Sequence, residues 1–291
     1  MEFTRLGDLI CILGEGPVWD ERREMLFFVD IPAPAIHAIR LDGSDLRSWA
    51  MPNIVGSLGL TESGRLIVAL KHDLALFDPE SGSLQPFARL PADEPGENRL
   101  NDGKVGPDGA FWVGTMHDVP ERQPVGALYR VAPDGTVTRH VRELRVSNGL
   151  AWSPDGRIMY HADTRSRWLD RWDFEPATGT MSNRTRLATF DGSIGLPDGG
   201  ATDADGIYWV TGNYAARLNC FNASGELVAW HPVPVPAPTM CCFCGPDLRS
   251  LVVTSHRTGA VVKQLGQYPE SGGLFIARAP VAGSPVPRMP L

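Results

Sequence analysis

Asn101-Asp102-Gly103-Lys104-Val105-Gly106-Pro107-Asp108-Gly109-Ala110-Phe111-Trp112-Val113-Gly114 joins one short run to a second, aromatic and β-branched run through a Pro-Asp-Gly reversal. Residues of that kind favour tight turns, so the stretch reads as two antiparallel strands. The plan recurs. Asn148-Gly149-Leu150-Ala151-Trp152 leads through Pro154-Asp155-Gly156 to Ile158-Met159-Tyr160-His161-Ala162, and Asp198-Gly199-Gly200-Ala201-Thr202 leads through Asp203-Ala204-Asp205-Gly206 to Ile207-Tyr208-Trp209-Val210-Thr211. Glu15-Gly16-Pro17-Val18-Trp19, Val55-Gly56-Ser57-Leu58-Gly59-Leu60 and Met240-Cys241-Cys242-Phe243 complete a set of six, each followed by a further strand-like run. The glycines of the clearest turns stand at 64, 109, 156 and 206, in steps of 45, 47 and 50 residues. That period matches a four-stranded blade.

Third and fourth strands follow within the units, as in Leu128-Tyr129-Arg130-Val131 before Pro133-Asp134-Gly135 and Leu218-Asn219-Cys220-Phe221 before Ala223-Ser224-Gly225. No amphipathic helix of a dozen residues interrupts them, and 25 prolines and 31 glycines suit short strands and turns. The expected fold is an all-β, six-bladed β-propeller with four antiparallel strands per blade, formed by residues 1–291 as a single domain. The last unit, ending Gly273-Leu274-Phe275-Ile276-Ala277, is one strand short, and Phe3 to Ile12 is apolar. The N-terminal strand is therefore expected to close the sixth blade.

The net charge of −7 is spread without a Lys/Arg cluster, which argues against nucleic acid as a partner. No run reaches the roughly 18 apolar residues of a membrane span, and Met1-Glu2-Phe3-Thr4-Arg5 does not start like a secretory leader. The expectation is a cytoplasmic protein without membrane contact, monomeric or weakly dimeric. Five cysteines, three of them in Cys241-Cys242-Phe243-Cys244, do not form a disulfide framework or a CxxC zinc pattern and are expected as buried thiols.

In a propeller the innermost strands begin at the same end of the channel, so one repeat position forms a ring around the axis. The residue seven places before each acidic turn residue gives Val55, Asn101, Asn148, Asp198 and Met240, and matching Trp19 to Trp152 adds Glu15. Four of these six carry side-chain oxygens and two are carboxylates. Converging carboxylates repel and resist desolvation unless a cation sits among them. Oxygen ligation suits Ca²⁺, Mg²⁺, Mn²⁺, Zn²⁺ or Fe²⁺. Asp108, Asp155 and Asp205 belong to the turns and are expected to be structural.

With these segments in view, the chain resembles the regucalcin/gluconolactonase-like sugar lactonases, the senescence marker protein family, in its bacterial sugar lactonase branch. The resemblance runs through Gly14-Glu15-Gly16-Pro17-Val18-Trp19, Asn98-Arg99-Leu100-Asn101-Asp102-Gly103, Gly114-Thr115-Met116, Ser147-Asn148-Gly149-Leu150, Pro197-Asp198-Gly199 and Cys241-Cys242-Phe243. It implies that Glu15, Asn148 and Asp198 bind one divalent cation, that Arg99 and Asn101 contact the sugar, and that Asp198 is the general base. The ring reading independently includes the three implied ligands. Three departures fall at positions relevant to the rim. His117-Asp118 follows Gly114-Thr115-Met116, Asn213-Tyr214-Ala215-Ala216 replaces a glycine-rich stretch, and Cys244 stands where glycine is usual. His117 is a candidate either for a substrate hydroxyl or for packing at the rim.

The resemblance implies metal-dependent hydrolysis of an aldonolactone to the aldonic acid, in sugar catabolism. A divalent ion suits such chemistry because it polarises a carbonyl and acidifies water; a carboxylate bound to the ion is a weaker base, so a metal-bound hydroxide competes with Asp198 as the source of the nucleophile. The rival readings are a phosphotriesterase or arylesterase propeller and a non-catalytic calcium-binding propeller. A Gly-x-Ser-x-Gly elbow, a His-Glu-x-x-His motif and a Walker loop are all missing from the sequence.

Overall fold

The computed structural model describes residues 1–291 as six four-stranded antiparallel sheets. Their innermost strands are Gly14–Asp20, Val55–Leu60, Asn98–Val105, Ser147–Trp152, Leu196–Thr202 and Pro238–Cys244, which we number as blades 1 to 6. In each of blades 1 to 5 the next three strands follow in sequence order toward the outside. Blade 6 draws its outermost strand from Thr4–Leu6, which pairs antiparallel with Leu274–Arg278 in the register Thr4↔Ile276 and Leu6↔Leu274. The two ends of the chain thus close the ring, as the short last repeat implied. The one helix is a 3-10 segment at Gly259–Gln264, and no helix is long and apolar enough to cross a membrane.

Alternation of side chains across each sheet gives every blade two apolar faces, and neighbouring blades bury them against each other. Six hydrophobic clusters result. Phe27, Val29, Leu58 and Phe77 join blades 1 and 2, while Leu76, Phe111, Val113 and Tyr129 join blades 2 and 3. Trp112, Trp152 and Phe174 pack between blades 3 and 4 with their rings edge to face. Cys242 and Cys244 lie with Leu26 and Phe28 between blades 6 and 1. All five cysteines are buried, unbonded thiols. Cys244 is therefore a packing residue at the far end of its strand, and it does not shape the rim.

Every inner strand breaks register with its neighbour near its start. Glu15 pairs with Val29 but Val18 with Phe27, so Gly16 and Pro17 face a single residue. Equivalent irregularities lie between Val55 and Ser57, Leu100 and Gly103, Asn148 and Ala151, Pro197 and Gly200, and Pro238 and Cys241. Bulges bend a strand and re-aim its side chains. Gly16 and Gly149 sit in them at φ +55 and +67, backbone that side chains with a Cβ rarely adopt.

The opposite end of the channel is crossed by the segment after Arg278. Gly283 bridges to Asp203, Met289 pairs with Thr61, and the amides of Glu62 and Ser63 donate to Met289 and Leu291. Ser284, Pro285, Val286 and Pro287 line a pocket of about 100 Å³ there together with Lys104 and Trp152. With that segment across it, this end is the more closed of the two, and the larger cavity lies where the inner strands begin.

Candidate active site at the open channel mouth

A cavity of about 290 Å³ opens at the starts of the inner strands. Glu15, Asn101, Asn148 and Asp198 line it from blades 1, 3, 4 and 5, with Arg99, Arg122, Thr164, Arg165, Asn213, Tyr214 and His256 around them. All four oxygen-bearing members of the sequence ring are placed there. The other two members are not. Val55 packs into the blade 1–2 core, and Met240 covers Gly199, where an added Cβ would come within 2.4 Å of the Met240 Cβ.

The carboxylates lack cationic contacts. Glu15 Oε2 accepts only the amide of Gly16 at 2.9 Å, and no ion pair reaches Glu15 or Asp198. Burial, the Asp198 charge and the Asp102 charge push the Glu15 carboxyl well above its ordinary range. Asp198 rises to about 8, chiefly by burial, although a hydrogen bond from Asn213 opposes the shift. Asp102, behind them, is also raised by burial; its Oδ2 accepts the Leu150 amide at 3.0 Å and its Oδ1 has no partner.

Arg99 is almost fully buried, 7% exposed. Its Nη1 donates to Asn101 Oδ1 at 2.8 Å and Leu100 O at 3.1 Å, and its Nε lies 3.3 Å from Asp118 Oδ2. Burial lowers the guanidinium pKa while the Asp118 charge opposes that shift. Asn101 passes the order on, since its Nδ2 donates to Ser147 O at 2.9 Å and Asn148 Oδ1 at 3.2 Å. Asn148 Nδ2 donates to Thr164 Oγ1 at 2.7 Å, and that hydroxyl donates to Pro197 O at 2.7 Å. A continuous chain of bonds therefore links Arg99 to the backbone beside Asp198.

His117 is tied to its own loop. It ends the second strand of blade 3 opposite Asn98, and its Nδ1 accepts the Gln123 amide at 2.9 Å, so the ring is held by the following turn and is not part of the cavity lining. Its neighbour Asp118 makes the contact that matters, bridging Arg99 and Arg122. The turn aspartates behave as expected. Asp108 accepts from Trp112 Nε1 and Arg130 Nε, Asp155 accepts from Ser153 and the Arg157 amide, and Asp205 is an amide donor to Asp203 within its turn.

Thr164, Asn213 and His256 went unremarked as candidates in the sequence. They follow or end second strands, outside the inner-strand repeat that singled out the ring. Only the replacement of a glycine-rich stretch at Asn213 gave a signal.

Comparison with known proteins agrees with this architecture. The regucalcin of Xenopus laevis is 34% identical over 90% of this chain and 89% of its own. A 6-deoxy-6-sulfogluconolactonase of Pseudomonas putida is 35% identical, over 95% of this chain and 94% of its own. Among solved structures, a calcium-binding protein, regucalcin, of Agrobacterium tumefaciens superposes with a TM-score of 0.91 at 28% identity, covering 99% of this chain and 97% of that one. Residues 13–257 match the model of the SMP-30/gluconolactonase/LRE-like region, and the chain belongs to that family.

Proposed function

We propose that the protein is a divalent-cation-dependent lactonase that hydrolyses a sugar-acid lactone to the open-chain acid, with Glu15, Asn148 and Asp198 holding the cation. The observation that carries this reading is the convergence of two uncompensated, buried carboxylates and an amide oxygen beside a buried arginine in the open mouth. The donor set fits a hard cation. No group of three His, Cys, Asp or Glu side chains is assembled anywhere in the chain, so a site here rests on two carboxylates completed by neutral oxygens. Sugar lactones are the substrate class because a gluconolactonase names the family and a sulfogluconolactonase is a near relative.

Lactone hydrolysis adds water to the carbonyl carbon and breaks the ring C–O bond, with a proton delivered to the departing oxygen. Asp198 Oδ1 takes the proton from water and returns it to that oxygen, while Asp198 Oδ2 stays bonded to Asn213 Nδ2 at 2.8 Å. Arg99 Nη2 has no partner in the protein and donates to the substrate, stabilising charge as it develops or fixing a hydroxyl. Asn101 holds the Arg99 fork and so orients the sugar indirectly as well as by contact. When bound, the cation supplies Lewis-acid polarisation of the carbonyl and of the attacking water. The five unpaired cysteines suit a reducing cytoplasm, where the acid product enters sugar catabolism.

A panel of glucono- and pentonolactones, assayed by acid release beside paraoxon and phenyl acetate, tests the reading. Lactone turnover should exceed the spontaneous rate, vanish in EDTA and return with Mn²⁺ or Ca²⁺. Lactone rates no better than background overturn it.

A further inference from the structure

The Asp198 carboxylate is served by a chain of polar groups that crosses from blade 6 to blade 5. Asn213 ends the second strand of blade 5 and His256 follows the second strand of blade 6. Both side chains are buried, Asn213 at 6% and His256 at 4% exposure. The Thr258 amide lies 3.2 Å from His256 Nδ1. A backbone amide can only donate, so Nδ1 is the acceptor and, in the neutral ring, Nε2 carries the proton. Burial lowers the imidazole pKa to about 4, which keeps it neutral near pH 7. Nε2–H then donates to Asn213 Oδ1 at 3.2 Å, and this fixes the amide with Nδ2 toward Asp198 Oδ2 at 2.8 Å. The Tyr214 ring closes over His256 edge-on, with centroids 5.6 Å apart.

We propose that Asn213 and His256 are a positioning pair that locks the Asp198 carboxylate with Oδ2 occupied and Oδ1 turned to the cavity. The inference rests on the assignment of Asp198 to the reaction. Blade 4 carries a parallel device, in which Thr164 takes the Asn148 amide nitrogen, and Asn148 Oδ1 is left with the single 3.2 Å contact from Asn101 Nδ2. In each case a side chain at or just beyond the end of a second strand hydrogen-bonds one polar atom of the inner-strand residue. Such supporting hydrogen bonds, when removed from metal or catalytic sites, typically cost about 10- to 100-fold in affinity or rate.

The test uses the full-length chain with Asn213→Ala, His256→Phe, the double variant and His256→Gln, whose amide nitrogen can replace the Nε2 donor. Glucono-1,5-lactone turnover gives kcat and KM, and calorimetric titration of the EDTA-stripped protein with Ca²⁺ gives a readout independent of activity. Asn213→Ala and His256→Phe should each lower kcat about 10- to 100-fold with KM changed less than about threefold, and weaken Ca²⁺ binding by about tenfold. The double variant should be no worse than Asn213→Ala, and His256→Gln should recover most of the loss. Unchanged kcat and Ca²⁺ affinity, additive losses, or no rescue by His256→Gln overturn the proposal. If His256→Phe does not fold, Asn213→Ala and His256→Gln decide it. If wild-type protein turns over no lactone, the lactonase reading falls separately, and Ca²⁺ affinity alone judges the pair.

Discussion

The two ends of the propeller channel are built from the same six strands yet treat charge in opposite ways. Where the inner strands end, Asp20 is completely buried but receives Arg23 Nη1 at 2.8 Å and Arg288 Nη2 at 2.6 Å. Burial alone would raise its carboxyl pKa, but the two arginine hydrogen bonds outweigh that and hold it below the ordinary value. Where the strands begin, Glu15 and Asp198 are buried to a similar degree, lack cationic contacts, and are raised. The closed end resolves its charges within the protein, while the open end keeps them unresolved for something that binds. Unfavourable arrangements of this kind persist where they serve function, at a cost in stability.

The strongest test of this contrast is charge removal at the open mouth. Asp198→Asn keeps the size of the side chain but removes the proton acceptor and half of the carboxylate charge. Lactone turnover should fall by roughly 10²- to 10⁴-fold, the range of general-base contributions. Thermal unfolding of the EDTA-treated variant should show a melting temperature equal to or above that of the parent, because a repulsion has been relieved. A lower one would mean that Asp198 is a structural carboxylate, contrary to the comparison.

Asp20→Asn at the closed end should do the reverse. It leaves the buried Arg288, 6% exposed at its side chain, without one of its two carboxylates. Breaking a buried pair in this way costs about 3–5 kcal/mol, tempered here by the Glu21 contact that survives. Denaturant titration should report the loss, and kcat at a temperature where the variant is folded should stay within about twofold of the parent. A large change in kcat would show that the two ends are coupled.

The fold was legible because its signal is repeated. Six copies of a strand-turn-strand plan fixed blade number, inner strands and the closing role of Thr4–Leu6 before any side chain was placed. The ring was partly legible for the same reason. The bulge recurs at all six positions, so side-chain chemistry separates them: Glu15, Asn101, Asn148 and Asp198 line the mouth, while the apolar Val55 and Met240 pack away from it. Adjacency in sequence to a motif does not say which neighbour turns inward: His117 is held by the Gln123 amide, and the next residue, Asp118, reaches Arg99. Asn213 and His256 were invisible as a pair because they lie 43 residues apart on different blades, and only the closed ring brings them within hydrogen-bond reach.

Acid treatment separates the two ends more gently. His161 lies behind the open mouth, fully buried, with Nε2 2.8 Å from Ser147 Oγ, no partner on Nδ1, and the edge of Trp168 against it. Burial, with a smaller effect of the Arg184 charge, lowers its pKa to about 3. An unfolded histidine binds its proton near pH 6.5, so below that pH the unfolded chain holds a proton that the native state refuses. The stability of the neutral ring is therefore present above about pH 6.5 and declines as pH falls toward 3. Asp20 behaves differently, because its lowered carboxyl keeps its contribution until the pH drops below the ordinary aspartate value near 3.9. Between pH 6.5 and 4.5 the loss thus comes from histidines such as His161 while the Asp20 pair stays intact, and for His161 it amounts to roughly 2–3 kcal/mol. Melting temperatures of the parent, His161→Gln and Asp20→Asn at pH 7.5 and 4.5 measure it: the acid-induced drop should shrink in His161→Gln and persist in Asp20→Asn, and equal drops in all three would place the acid-sensitive group elsewhere.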